Sequence, residues 1–265
     1  MEMPKNKFKK MANPQAPLVG LWNALVDNIA GEIIAGTGFD WVVIDAEHAP
    51  FDLRSILHQL QVMERFDVPI IVRPPSGDPV FIKQLLDIGV QTLLIPMVES
   101  AENAEQIFRA MQYPPRGVRG IGTAMARAAQ WNKVEDYFKE ANNEMCLIVQ
   151  VETKKGIEQL DEILMTEGID GVFIGPADLS ASMGFIGQPD HPVIKNEIKK
   201  AIIKIKNAQK VAGIMALSKE LADYYIECGA NMIAVGIDTL LLSNASQQLL
   251  ERYKPSSNTN PGTKY

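Results

Sequence analysis

Long apolar runs are missing from this chain, along with most of what would tie it to a membrane, to nucleic acid or to an oxidising compartment. The longest apolar stretches run to about six to eight residues, too short to span a bilayer. Basic residues are outnumbered: 26 Lys and Arg stand against 32 Asp and Glu, a net charge of −6. No basic stripe is available to neutralise phosphates, which excludes nucleic acid as a partner. Only two cysteines, Cys146 and Cys228, occur; they offer no disulfide framework and suit a reducing cytoplasm. The opening Met1–Lys10 is basic but has no apolar segment, so no secretory signal is expected. No Gly-x-Gly-x-x-Gly follows an early strand, which places a doubly wound sheet well below other α/β arrangements.

What is present is alternation. Eight short apolar runs read as strands: Leu18–Asn23, Trp41–Asp45, Ile70–Arg73, Thr92–Met97, Leu147–Val151, Gly171–Gly175, Ala212–Ala216 and Met232–Gly236. Amphipathic segments separate them, among them Asp52–Arg65, Pro79–Ile88, Ala101–Met111, Pro192–Gln209 and Lys219–Cys228. Continuous apolar strands between helices mean parallel strands buried on both faces. Eight such units in about 240 residues match a (β/α)8 TIM barrel. The chain divides into a polar lead-in (1–16), a barrel (17–254) and a Ser-, Asn-, Pro- and Gly-rich tail (255–265) expected to be disordered. The long connection from Gln112 to Met145 is expected to serve as a lid or binding loop. Within it, Arg116 and Arg119 are placed either on the far end of an anionic substrate or in solvent.

A barrel of this kind carries its chemistry at the C-terminal strand ends. There the sequence sets Trp22 and Asn23, then Asp45-Ala46-Glu47-His48, Arg73, Gln150 and Glu152, and Gly175-Pro176-Ala177-Asp178. Met215 and Ser218 follow the seventh strand, and Gly236 and Asp238 the eighth. Glu152 and Asp178 are the candidate metal ligands: two carboxylates without nearby Cys or His favour a hard ion such as Mg²⁺ or Mn²⁺. The plainer alternatives are a helix N-cap for Asp178 and a solvated acid for Glu152. His48 is the candidate general base, its ordinary pKa lying near neutrality. Arg73 can hold a carboxylate or enolate oxygen bidentately, or instead pair with one of the acids around it. No strand ends in a lysine; Lys154 and Lys155 are nearest, so a Schiff base is disfavoured. The absence of a phosphate loop, with Asp238 after the last strand, argues against sugar phosphates.

These residues, with Phe39 through Pro50, Ile82 through Gly89, Tyr113 through Gly117 and Gly171 through Ser180, resemble the HpcH/HpaI family of metal-dependent class II pyruvate aldolases. The resemblance implies a phosphoenolpyruvate/pyruvate-binding barrel whose last helix is swapped between subunits, in a hexamer built as a trimer of dimers. It implies a divalent metal (Mg²⁺, Mn²⁺ or Co²⁺) on Glu152 and Asp178, Arg73 on the pyruvyl oxygens, and His48 as base with Asp45 close by. Asp87 would reach His48 across a subunit interface. Gly175, Pro176 and Ala177 would meet the pyruvyl carboxylate, with Trp22, Gln150 and Met215 lining the pocket. The implied reaction is reversible cleavage of a 4-hydroxy-2-oxo acid into pyruvate and an aldehyde. The run Gly20–Leu25 and the Lys7-Phe8-Lys9 lead-in lean toward sugar-acid substrates. An oxaloacetate decarboxylase, a citrate-lyase-β-like acyl-CoA lyase and a non-catalytic barrel are the competing readings.

Overall fold

A computed structural model describes residues 1–11 and 17–254; the expected disordered tail lies outside them. Eight parallel strands close in sequential order: β1 Leu18–Asn23, β2 Trp41–Asp45, β3 Ile70–Arg73, β4 Thr92–Ile95, β5 Cys146–Val151, β6 Ile169–Ile174, β7 Val211–Met215 and β8 Met232–Ile237. The helices are α1 Lys7–Met11, α2 Asn28–Ala35, α3 Leu53–Met63, α4 Pro79–Asp87, α5 Ala101–Met111, α6 Tyr137–Glu144, α7 Lys154–Glu158, α8 Leu160–Met165, α9 Pro176–Ser182, α10 Pro192–Asn207, α11 Lys219–Cys228 and α12 Asp238–Tyr253. This is the (β/α)8 barrel that the alternation predicts. Strand ends differ from expectation by a residue or two: β6 starts two residues earlier, at Ile169, and β4 stops at Ile95, ahead of Met97, which turns into the left-handed region at φ 57°.

The strands form for a simple reason. Val42, Val43 and Ile44 are all fully buried, one face against the barrel interior and the other against helices, and β-branched side chains suit that pleated, two-sided burial. Side-chain caps open the helices: Asp27, Asp52, Asp78, Ser100 and Ser218 each accept a backbone N–H of the helix that follows. Interior packing is tight enough that a Cβ on Gly20 would lie 2.1 Å from the Trp41 ring.

The base of the barrel is closed by the lead-in, which is anchored rather than loose. Phe8 on α1 joins the interior cluster of Trp41, Ile71, Cys146, Ile148, Val211 and Met232 and is 1% exposed. Asn6 holds it there, donating to the carbonyls of Gln91 and Glu144 and to Thr92 Oγ1. Lys7-Phe8-Lys9 is therefore a plug at the end of the barrel opposite the strand C-termini.

The long connection 112–145 joins the end of α5 to the start of β5, so it too lies at the base. It is not a lid over this chain's own strand C-termini. Met3, Tyr113, Val134, Tyr137 and Ala141 pack there as a separate small core. Arg119 is fully buried in it, bonded to Asp87 at 2.8 Å with its guanidinium 4.4 Å above Tyr113. Arg116 pairs with the exposed Glu167.

At the other end of the chain, α12 leaves the barrel with its apolar residues bare. Leu241, Leu242, Leu249 and Leu250 are half exposed or more, and so are Ile29 and Ile33 on α2. Asp238 fixes the departure angle by accepting the N–H groups of Ala24 and Leu25 at 2.9 and 3.0 Å. Among the described residues no helix is long and apolar enough to cross a membrane.

Removing the plug tests its worth. Phe8→Ala is expected to destabilise the fold by about 3 kcal/mol or more, the usual cost of emptying a packed aromatic site. It should appear as a lower urea midpoint at an unchanged slope.

Candidate active site

Asp45 and Arg73 end adjacent strands and are register partners, which puts their side chains at the same height. Arg73 donates from Nε and Nη2 to the two Asp45 oxygens at 2.8 and 2.7 Å. Its Nη1 lies 2.8 Å from Glu47 Oε2 and 3.4 Å from the Gln150 amide oxygen. Burial works to strip the Arg73 charge, but the hydrogen bond and field of Asp45, with Glu47 and Glu152, override it and raise its pKa. The bidentate edge expected for substrate is thus occupied by Asp45.

Asp45 has a second task. Its Oδ1 accepts the backbone N–H groups of Glu47 and His48 at 3.1 and 3.4 Å, an Asx turn that shapes the loop after β2. Asp45 therefore positions His48 through its backbone and not through its ring. The His48 side chain is 67% exposed, with Nε2 3.7 Å from Glu47 Oε2.

Glu152 follows β5 directly and is 2% exposed. Its Oε1 accepts the Met97 N–H at 3.0 Å and its Oε2 accepts the Gln150 amide, so Gln150 bridges Arg73 and Glu152. The carboxylate fits because residue 175 is glycine: a Cβ there would lie 2.4 Å from Glu152 Oε2. Burial raises the Glu152 pKa to about 7; the Gln150 and Met97 hydrogen bonds pull it down, and the fields of Glu47 and Asp178 push it further up. Asp178 sits exposed in the first turn of α9, whose N-cap is Gly175 with no side-chain cap. The capping alternative for Asp178 is thereby removed.

Three carboxylates, those of Asp45, Glu47 and Glu152, thus act on one guanidinium, and the field of Asp178 reaches Glu47 and Glu152. An all-oxygen set that includes a buried acid fits a hard divalent cation. Among the described residues no group of three or more His, Cys, Asp or Glu side chains is placed to cage a metal. Glu152 and Asp178, near enough for the field of one to act on the other, are the two carboxylates that could share such an ion with water and substrate.

Around these acids lie the remaining expected residues. Trp22 is buried against Phe173 and Trp41, and the Arg73 guanidinium stands 5.4 Å over its ring. Met215 packs at the end of β7, and Pro176 and Ala177 open α9. Lys154 and Lys155 point elsewhere, paired with Glu158 and Glu99 on the surface. Asp87 is the one site residue not brought to this end; it closes α4 at the base, on Arg119. Sequence reasoning passed over two participants. Glu47 was in view as a neighbour of His48, but nothing marked it as a partner of Arg73. The Met97 N–H leaves no trace in residue identity, since any residue supplies one.

In metal-free protein, Glu152→Gln is expected to raise the melting temperature at pH 8, by about 2–4 °C for each kcal/mol of buried-charge cost removed, and to change it little at pH 4. The sign follows from a folded pKa of about 7 against an ordinary 4.5. The cost of the buried charge is absent below 4.5 and complete above 7. A scan at the two pH values decides it.

The chain was compared with known proteins. A family model described as HpcH/HpaI aldolase/citrate lyase matches residues 18–245. A hydroxypyruvate/pyruvate aldolase of Pseudomonas aeruginosa is 50% identical over 96% of this chain and 95% of its own length. A 4-hydroxy-2-oxo-heptane-1,7-dioate aldolase of Shigella flexneri is 48% identical over 96% and 95%. The crystal structure of an HpcH/HpaI aldolase/citrate lyase family protein from Burkholderia cenocepacia J2315 superposes with a TM-score of 0.90 at 35% identity, covering 94% of this chain and 100% of that one. With the barrel and its ring of strand-end acids already in place, these matches establish that the chain belongs to the HpcH/HpaI aldolase/citrate lyase family.

Proposed function

We propose that the chain is a metal-dependent aldolase that reversibly cleaves a 4-hydroxy-2-oxo acid into pyruvate and an aldehyde. The observation that carries this is Glu152: a buried carboxylate with its pKa raised to about 7, beside exposed Asp178 and within the field of Arg73. A divalent cation (Mg²⁺, Mn²⁺ or Co²⁺) held by Glu152 and Asp178 would supply Lewis acidity at the carboxylate and 2-oxo oxygens. Arg73 meets negative charge as it gathers on the 2-oxo oxygen. In the condensation direction His48 accepts a proton from pyruvate C3. The C3 electron pair attacks the aldehyde carbon, and the aldehyde oxygen takes up a proton; cleavage is the reverse. The backbone turn at Gly175, Pro176 and Ala177 receives the substrate carboxylate through the Ala177 N–H, the Gly175 N–H being held by the Val151 carbonyl at 3.3 Å, while Trp22, Gln150 and Met215 wall the pocket.

The substrate class follows the named relatives, whose substrates are a 4-hydroxy-2-oxo diacid and hydroxypyruvate, and not the sugar-acid lean of the lead-in. The proposed assembly is a hexamer, a trimer of dimers with α12 exchanged between subunits. The bare leucines of α12 and the exposed Ile29 and Ile33 support the exchange. Asp87, remote from its own His48, is proposed to meet a partner subunit's imidazole. Free Cys146 and Cys228 support a cytoplasmic location.

Exchange of the pyruvate methyl protons in D₂O, followed by NMR, is expected with Mg²⁺ or Mn²⁺ and is expected to vanish with EDTA. Metal-independent exchange would overturn the reading. His48→Ala should slow that exchange about 10²- to 10⁴-fold. Sedimentation equilibrium at micromolar protein should give a mass above the monomer; a monomer would sink the role of Asp87.

A further inference from the structure

Every nitrogen of Arg73 already has a partner. Nε and Nη2 each give one N–H to Asp45, which leaves the second N–H of Nη2 and both of Nη1 along the end of the guanidinium. Nη1 is the only nitrogen not bonded to Asp45; it donates to the Gln150 amide oxygen at 3.4 Å, and Glu47 Oε2 lies 2.8 Å from it as an ion pair without an aligned hydrogen bond. A substrate oxygen drawn to that end of Arg73 therefore competes with the Glu47 carboxylate. The Asp45 edge is the firmer of the two, because Asp45 is bonded through both oxygens and also carries the Asx turn through the N–H groups of Glu47 and His48.

Glu47 is placed to give way. Among the described residues its carboxylate touches only Arg73 and, at 3.7 Å, His48 Nε2. Its backbone is pinned through the Asp45 Oδ1 contact at 3.1 Å, so the side chain can move without the loop. Asp45, Glu152 and Asp178 already make the surroundings acidic, and burial raises the Glu47 carboxyl pKa further.

We propose that Glu47 is a positioning residue that holds Nη1 of Arg73 before substrate arrives and cedes it to the anionic oxygen of a 2-oxo carboxylate. Binding is then an exchange of one carboxylate for another. A ligand that brings its own negative oxygen replaces what Glu47 gave, since charge-assisted hydrogen bonds to a guanidinium are about twice as strong as neutral ones. A neutral ketone leaves the guanidinium under-paired and is rejected. After the exchange, His48 Nε2 is the nearest partner left to Glu47. The inference rests on the aldolase reading for the class of ligand; the occupied Nη1 is a matter of geometry.

The test is calorimetric titration of oxalate, a dianion with two adjacent carboxylates, into full-length protein saturated with Mg²⁺. Glu47→Gln and Glu47→Asp are compared with the parent, and circular dichroism and melting temperature report folding. Aspartate keeps the charge but is one methylene too short to span to Nη1. Oxalate affinity should rise about tenfold in both variants, roughly one close ion pair no longer displaced. KM for pyruvate in C3 exchange should fall without a rise in kcat, a split that lost packing does not produce. A gain in Glu47→Gln alone overturns the proposal, because the general field of the acid would then suffice. Unchanged or weaker oxalate binding in both folded variants overturns it as well. Failure of the aldolase reading shows separately, as absence of pyruvate exchange in the parent protein.

Discussion

The pair between Asp45 and Arg73 is the interaction on which the upper face of the barrel depends. It joins β2 to β3 at their last residues, shapes the loop that carries Glu47 and His48, and leads through Gln150 to Glu152 just past β5. A buried pair of this kind gains little over an apolar substitute of equal volume, yet losing one partner strands a charge at about 3–5 kcal/mol. Its value lies in geometry. Two strand-end residues set the orientation of four others, with no loop required to hold a shape of its own.

The same region carries more negative charge than its one guanidinium balances. A raised carboxyl such as Glu152 is an imbalance that folding tolerates because something else completes it, and such imbalances collect where chemistry is done. The strained Met97 backbone belongs to the same account: its left-handed turn aims an N–H at Glu152 in place of continuing β4.

Much of this was legible in the residues. The eight strands announced themselves because burial on both faces leaves unbroken apolar runs, and each run stopped where a polar residue had to face the site. Asp45, Arg73, Glu152 and Asp178 were found by that rule. What escaped were properties of pairs and of backbone. That Arg73 might pair with an acid near it was one of the two readings, and Asp45 bears it out; nothing local says which acid it is, or that Arg119, thirty-two residues beyond Asp87, is buried against it. The 112–145 connection was expected above the site on the strength of its length. Its position follows from topology, since it leaves a helix and enters a strand, and such a segment belongs at the base. The lead-in looked polar because four lysines hide one phenylalanine, and only the closed barrel gives that ring somewhere to go.

That ring also ties together distant parts of the chain. The partners that fix Asn6 lie 85 and 138 residues further along the chain, and the interior Phe8 enters is bounded by residues as late as Val211 and Met232. The lead-in thus takes its partners from most of the barrel, and contacts that far apart in sequence carry a high loop-closure cost before they reward it. A barrel without β8 would leave the Phe8 ring without part of the wall that surrounds it.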